Sequence, residues 1–211
     1  MHTKLKTTAK YTLWAFLLIV LIAAPITGIM WIGKQLVSLP VNSSSDIIQK
    51  HGMLLSFVMA CLLGPCIEEF LFRYPITLER KVLLKSFTLG MLFKLILGLF
   101  HRGEILSVAN TILSNLGWIS IILYYIRKEY SPKAQQTAGY ISMVAFTLLH
   151  LTNYTNLHWN NFIFAFIQVL PLGVLAFFLN KIRIQCGIIY CICVHILYNL
   201  ITFTLMLPMA K

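Results

Sequence analysis

Residues 53–76 read MLLSFVMACLLGPCIEEFLFRYPI. A bilayer-spanning helix takes about 20 mostly apolar residues, and this run supplies them before it ends on Glu68, Glu69 and Arg73. A charge at the bilayer centre costs about 2.5 to 3.5 kcal/mol on insertion scales, so an ionisable group inside a span is a functional hypothesis by default. The segment therefore poses two questions: whether the rest of the chain is a membrane protein, and what the carboxylates do there.

Composition answers the first question. Of 211 residues, 59% are hydrophobic and 11% charged, about a fivefold excess where a soluble domain shows roughly twofold. A soluble globular enzyme is excluded. The charged minority is lopsided, with 17 Lys and Arg against 6 Asp and Glu, a net charge of +11. In a soluble protein that balance would suggest nucleic acid, whereas in a membrane protein it is the positive-inside bias of the loops.

Seven apolar runs are present: 11–33, 53–76, 86–100, 105–126, 137–152, 159–180 and 184–207. The third is short and contains Lys94, which suits a tilted, re-entrant or sheltered helix. With the amino terminus in the cytoplasm, the inner segments carry Lys4, Lys6, Lys10, Arg80, Lys81, Lys85, Arg127, Lys128, Lys133, Lys181 and Arg183. The outer segments keep Lys34, Lys50, Arg102 and Lys211. This asymmetry predicts an all-α, polytopic helical bundle of about seven spans with a cytoplasmic amino terminus. No basic stripe with interleaved aromatics remains for nucleic acid once the loops are assigned. The run 11–33 is too long for the apolar region of a signal peptide. With no repeat or long linker, residues 1–211 read as one integral-membrane domain.

The five cysteines, Cys61, Cys66, Cys186, Cys191 and Cys193, all fall in spans and read as small packing hydrophobes. The sequon matches at Asn42 and Asn153 carry no inference. His2, His51, His101 and His158 lie at the terminus or near span ends, where water satisfies them, and Asp46, Glu79, Glu104 and Glu129 lie in or beside loops.

Three polar features remain inside spans: Glu68-Glu69 with Arg73, Phe146 with His150, and His195 with Asn199. Residues four apart share a helical face, so Glu69 pairs with Arg73, while Glu68, turned by about 100°, is the freer carboxylate. Such a group can accept and return a proton. His195 and Asn199 are also four apart, so imidazole and carboxamide project together and can donate two hydrogen bonds to a developing oxyanion. Taken singly, each feature has a structural explanation: a snorkelling charge cluster, a packing histidine, or a hydrogen bond between helices. A carboxylate pair and two histidines in three separate apolar helices are much harder to explain as packing.

Those features, in this order, resemble the motifs EExxxR, FxxxH and HxxxN of the CPBP family, the CAAX proteases and bacteriocin-processing enzymes also called Abi proteins. The resemblance covers 53–207. It implies an intramembrane endopeptidase in which Glu68 activates water with His150 helping to hold it, while His195 and Asn199 stabilise the oxyanion and Glu69, Arg73 and Phe146 support the site. It also implies a bilayer partner and a membrane-associated or lipidated peptide substrate, a prenylated CAAX tail or a bacteriocin-like peptide. Small size and compact loops favour a multi-pass protein of a bacterial cell membrane, with a link to bacteriocin processing or self-immunity. The family is described both as metalloprotease and as metal-free. Glu68, His150 and His195 are the residues that would bind Zn²⁺ as a two-histidine, one-glutamate set, although the HExxH spacing of soluble zinc proteases is missing.

Two other functions compete. A proton-coupled transporter would use Glu68 and the histidines as a relay, but no inverted repeat is evident. A non-catalytic membrane scaffold or immunity protein would tolerate loss of a motif residue, and none is lost. One geometric difficulty also arises. His150 lies about 13 residues, or roughly 20 Å, from the inner end of its span at 1.5 Å per residue, whereas Glu68 is late in a span running inward. For them to meet, the second helix must continue past Arg73 toward Leu78, or the fifth must begin deeper.

Overall fold

The computed structural model describes residues 2–34, 38–39, 41–42, 52–79, 81–86, 88, 131–155 and 158–206. These residues form five long helices and one two-residue strand pair, an all-α arrangement in substance. The expected spans 86–100 and 105–126 lie outside the described residues apart from Ser86 and Thr88, as do Lys94, Asp46, Glu104, Glu129, His51 and His101.

Helix α1, His2–Gly33, contains 32 residues, or about 48 Å at 1.5 Å per residue. It exceeds the roughly 30 Å hydrocarbon core, so its basic first turns, with Lys4, Lys6 and Lys10, continue the apolar run that begins at Tyr11. Its other long helices are α2, Met53–Thr77, α3, Pro132–Leu149, α4, Phe162–Gln185, and α5, Ile188–Met206. Helices α1, α2, α4 and α5 are long and apolar enough to cross a membrane. Helix α3 is not in that set because its first turns, from Pro132 to Thr137, are polar. Those turns make a well-formed start: Ser131 Oγ accepts from the Ala134 amide at 3.1 Å and Pro132 occupies the first turn, the usual N-terminal chemistry of a helix.

Helix α4 is the centre of the described bundle, touched by α1, α3 and α5. It runs antiparallel to α1, since Tyr11 Oη donates to Gln185 Oε1 at 3.2 Å and Cys186 Sγ donates to the Lys4 carbonyl at 3.5 Å. The core where α1, α4 and α5 meet holds Ile19, Leu175, Leu179, Ile182, Cys186, Cys191 and Val194. Leu13, Leu17 and Leu21, spaced by one turn on α1, point outward, as a lipid-facing stripe should.

The α4–α5 boundary falls several residues later than the apolar runs suggest. Polar Asn180 was expected to end the sixth span, yet it is buried and its Nδ2 donates to the Gly139 carbonyl at 2.7 Å, so the helix continues through it. The true stop is Gly187, with φ of 110° and its amide returned to the Ile182 carbonyl at 3.2 Å. Only glycine adopts that backbone without strain. Lys181 and Arg183 consequently lie on the last turns of α4 rather than in a loop. At the other end, Val41–Asn42 pairs antiparallel with Tyr154–Thr155, and Asn161 Nδ2 donates to the Ser38 carbonyl at 3.0 Å, joining the segment after α1 to the segment after α3.

Candidate active site

Helix α2 is not a regular α-helix. Its pieces are α over Met53–Phe57, π over Val58–Leu63, α over Gly64–Glu68, π over Glu69–Arg73 and a 3₁₀ turn over Tyr74–Thr77. Each π segment closes with an amide bonded five residues back, Gly64 to the Met59 carbonyl and Tyr74 to the Glu69 carbonyl. The next residue in each case is a proline, Pro65 or Pro75, which has no N–H to continue that pattern. The carbonyls it leaves over are those of Ala60 and Phe70. Both are taken by side chains from elsewhere in the chain: Asn199 Nδ2 donates to Ala60 O at 2.8 Å, and Ser86 Oγ donates to Phe70 O at 2.6 Å. Hydrocarbon offers a carbonyl no hydrogen bond, so the prolines create sites that pin α5 and the segment after α2 onto the helix carrying the carboxylates. Ser142 Oγ of α3 adds a third tie, to Phe72 O at 2.6 Å. Arg183 of α4 adds a fourth, donating from Nε and Nη2 to the carbonyls of Arg73 and Tyr74, both at 3.2 Å. π segments inside α-helices are frequent at functional sites.

The helix so held presents both glutamates to one imidazole. His195 Nδ1 lies 2.7 Å from Glu69 Oε1, and Nε2 lies 3.6 Å from Glu68 Oε2. Glu69 is fully buried and pairs with equally buried Arg73, Nη1 to Oε1 at 3.4 Å, as the four-residue spacing predicts. Its other oxygen, Oε2, accepts from Cys191 Sγ at 2.7 Å. An ionised carboxylate only accepts hydrogen bonds, so beside Arg73 the network assigns the proton at Nδ1 to His195. Glu68 differs in kind. Its side chain is 26% exposed, and Oε2, though buried, has no hydrogen-bond partner among the described residues.

Phe146, fully buried, stands between the two histidines. Its ring centroid is 4.5 Å from that of His150 and 5.7 Å from that of His195, and the Arg73 guanidinium carbon sits 3.8 Å from it. That is a close cation–π distance, and it places the apolar residue of the second motif against the cation of the first. His150 begins the 3₁₀ turn that follows α3, and its Nδ1 lies 2.8 Å from the Phe146 carbonyl, which can only accept. Nδ1 therefore carries a proton, and in the neutral ring Nε2 is the nitrogen with the lone pair. Of the two routes past the depth difficulty, the structure takes the first: α2 continues to Thr77 and stops at Leu78 in the left-handed region, φ 57°, whereas α3 starts at Pro132, ahead of the apolar run, and brings His150 no nearer to its start.

The structure thus brings Glu68, Glu69, Arg73, Phe146 and His195 together, with His150 joined through Phe146. Asn199 projects from the turn after His195, but the contact its carboxamide makes is with the Ala60 carbonyl. Two participants were not anticipated from sequence. Cys191 was read as packing, although its spacing of four from His195 was the available signal. Arg183 was read as a topological charge, and nothing local marks it as a ligand for the end of α2.

The residue set expected for Zn²⁺ was Glu68, His150 and His195. Among the described residues, no three His, Cys, Asp or Glu side chains gather closely enough to hold a metal ion, so the three are not arranged as a ligand set and the chemistry derived for the site uses the chain's own groups.

Comparison with known proteins gives one family. Residues 50–201 match the model of the type II CAAX prenyl endopeptidase Rce1-like family. No curated protein and no solved structure matches. The match covers well over half of the chain and contains all three motifs, so this integral membrane protein belongs to the Rce1-like CAAX protease family, a family of membrane endopeptidases.

Proposed function

We propose that the chain hydrolyses peptide bonds of membrane-associated substrates through a water activated by Glu68. The observation that supports this most is the division of labour between adjacent glutamates: Glu69 is saturated by His195, Cys191 and Arg73, and Glu68 is partly exposed, with no hydrogen-bond partner for Oε2 among the described residues and the other nitrogen of the same ring 3.6 Å away.

In this reading, a water donates one hydrogen bond to Glu68 and the other to the free Nε2 of His150. Its oxygen attacks the scissile carbonyl carbon as its proton passes to Glu68. The carbonyl π electrons move to oxygen, and the resulting oxyanion is met by N–H from His195 Nε2 and by the second amide proton of Asn199. The Ala60 carbonyl holds the first amide proton of Asn199 and so orients the group. This role needs a proton on each ring nitrogen of His195, that on Nδ1 donated to Glu69 and that on Nε2 pointing to Glu68, 3.6 Å away, before reaction. Once Glu68 is protonated, the Nε2 donor is free to turn to the oxyanion, where preorganised donors are most effective. Collapse of the tetrahedral species breaks the C–N bond, and Glu68 returns its proton to the leaving amine. Glu69 and Arg73 act by fixing His195.

The topology that goes with this reading has seven spans and a cytoplasmic amino terminus, in a bacterial cell membrane. The substrate that goes with a bacterial membrane is a bacteriocin-like or other membrane-bound peptide, and a prenylated CAAX tail, which the family description names, is the competing class that goes with a eukaryotic one. The test is cleavage by the purified protein of one peptide of each class, followed by mass spectrometry. Wild type cleaves at least one, and Glu68→Gln, His150→Ala and His195→Ala do not. Cleavage surviving in Glu68→Gln contradicts the reading, and loss of wild-type cleavage with chelator overturns its metal-free form.

A further inference from the structure

Cys191 has no part in the three motifs, yet it touches the site more closely than most residues that do. It lies one turn before His195 on α5, on the same face, and both are buried. The two side chains reach the two oxygens of one carboxylate: His195 Nδ1 is 2.7 Å from Glu69 Oε1 and Cys191 Sγ is 2.7 Å from Glu69 Oε2. The thiol has a second acceptor, the Leu179 carbonyl on α4 at 3.2 Å. One S–H serves one acceptor at a time, and the carboxylate is both nearer and charged, which makes the stronger bond. We propose that Cys191 is a positioning residue: with His195 it clamps Glu69 across both oxygens, so the carboxylate cannot rotate about its own axis and the His195 ring is held with Nε2 facing Glu68.

The geometry explains why one donor is insufficient. Held only at Oε1, by His195 and by Arg73 at 3.4 Å, the Glu69 carboxylate can still pivot about that oxygen, and the imidazole follows it. A second donor on Oε2 removes that freedom. A thiol also suits the place physically. It is apolar enough to pack in the α4–α5 core, where Cys191 sits with Leu179 and Val194, and it still supplies one weak donor.

This inference rests on the protease reading for its kinetic consequence but not for its hydrogen bond, so the experiment has two arms. In the kinetic arm, cleavage of a prenylated CAAX peptide is compared in wild type, Cys191→Ala and Cys191→Ser. Cys191→Ala lowers kcat about fivefold to tenfold, the equivalent of one hydrogen bond from a weak thiol donor, with KM unchanged, and Cys191→Ser, which keeps a donor, stays within about twofold of wild type. In a Glu69→Gln background Cys191→Ala has no further effect, because the clamp is already broken. Equal losses in the Ala and Ser variants, or the same factor in both backgrounds, make the residue a packing element and overturn the proposal. In the spectroscopic arm, the infrared S–H stretch of Cys191, isolated as wild type minus Cys191→Ala, lies at the lower frequency of a strongly bonded thiol and moves up in Glu69→Gln. A band that does not move overturns the clamp even if no peptide is cleaved, whereas a shifting band with no cleavage by wild type upholds the clamp and removes the protease reading.

Discussion

Removing one member of the Glu69, Arg73 and His195 cluster leaves a charge in a dry interior with its partner gone. Such losses cost about 3 to 5 kcal/mol where a buried pair is broken from one side. Glu69→Ala and Arg73→Ala should each destabilise the folded protein by that order, read as a lowered unfolding midpoint in detergent, and a fall of less than about 1 kcal/mol would contradict the burial and pairing described. Glu68→Gln should leave the folding stability within about 1 kcal/mol of wild type, because Glu68 makes no hydrogen bond through Oε2 among the described residues and its side chain is 26% exposed. The two neighbouring glutamates are thus separable by stability alone. The sequence carried part of this distinction, since a spacing of four pairs Glu69 with Arg73. It did not carry the position of His195 between the carboxylates, because that depends on how α5 packs against α2, and periodicity describes only one helix at a time.

At the scale of the element, α2 depends on two prolines. Pro65 and Pro75 each leave a carbonyl five residues back for a side chain to fill, Ala60 for Asn199 and Phe70 for Ser86. Asn199→Ala should cost about 0.5 to 1.5 kcal/mol, the net worth of one hydrogen bond. Pro65→Ala restores an amide at that position, so in its background the same Asn199 substitution should cost clearly less. A double-mutant cycle measures the coupling, and additivity within about 0.5 kcal/mol would contradict the account of α2. The motif HxxxN was legible as two polar groups on one face, but the partner of Asn199 was not. Nothing in sequence announces a π segment, and the apolar run 53–76 reads equally well as an ordinary α-helix. The end of α4 was misjudged for a related reason: Asn180 looks like a loop residue until Gly139 of α3 supplies its acceptor.

For the molecule as a whole, four of the five long described helices are apolar enough to span a membrane, as the composition indicated. Membrane residence was the most legible property, because it follows from an excess of apolar residues spread over the whole chain. Topology is a sharper test. With the amino terminus inside, α1 starts in the cytoplasm and the antiparallel α4 ends there, so single cysteines introduced at Lys4 and Lys181 of a cysteine-free variant should react with a membrane-impermeant thiol reagent only in inverted vesicles. Labelling of either position from the outside would reverse the orientation.

The most direct test of the central claim is peptide hydrolysis by the purified, detergent-solubilised protein with Glu68 as the single variable. Mass spectrometry of a prenylated CAAX peptide and of a bacteriocin-like peptide should show a defined cleavage product with wild type. A fall of at least about 10³ in rate should follow in Glu68→Gln at an unchanged unfolding midpoint, about 4 kcal/mol of transition-state stabilisation. Cleavage by Glu68→Gln at a rate near wild type would contradict the account.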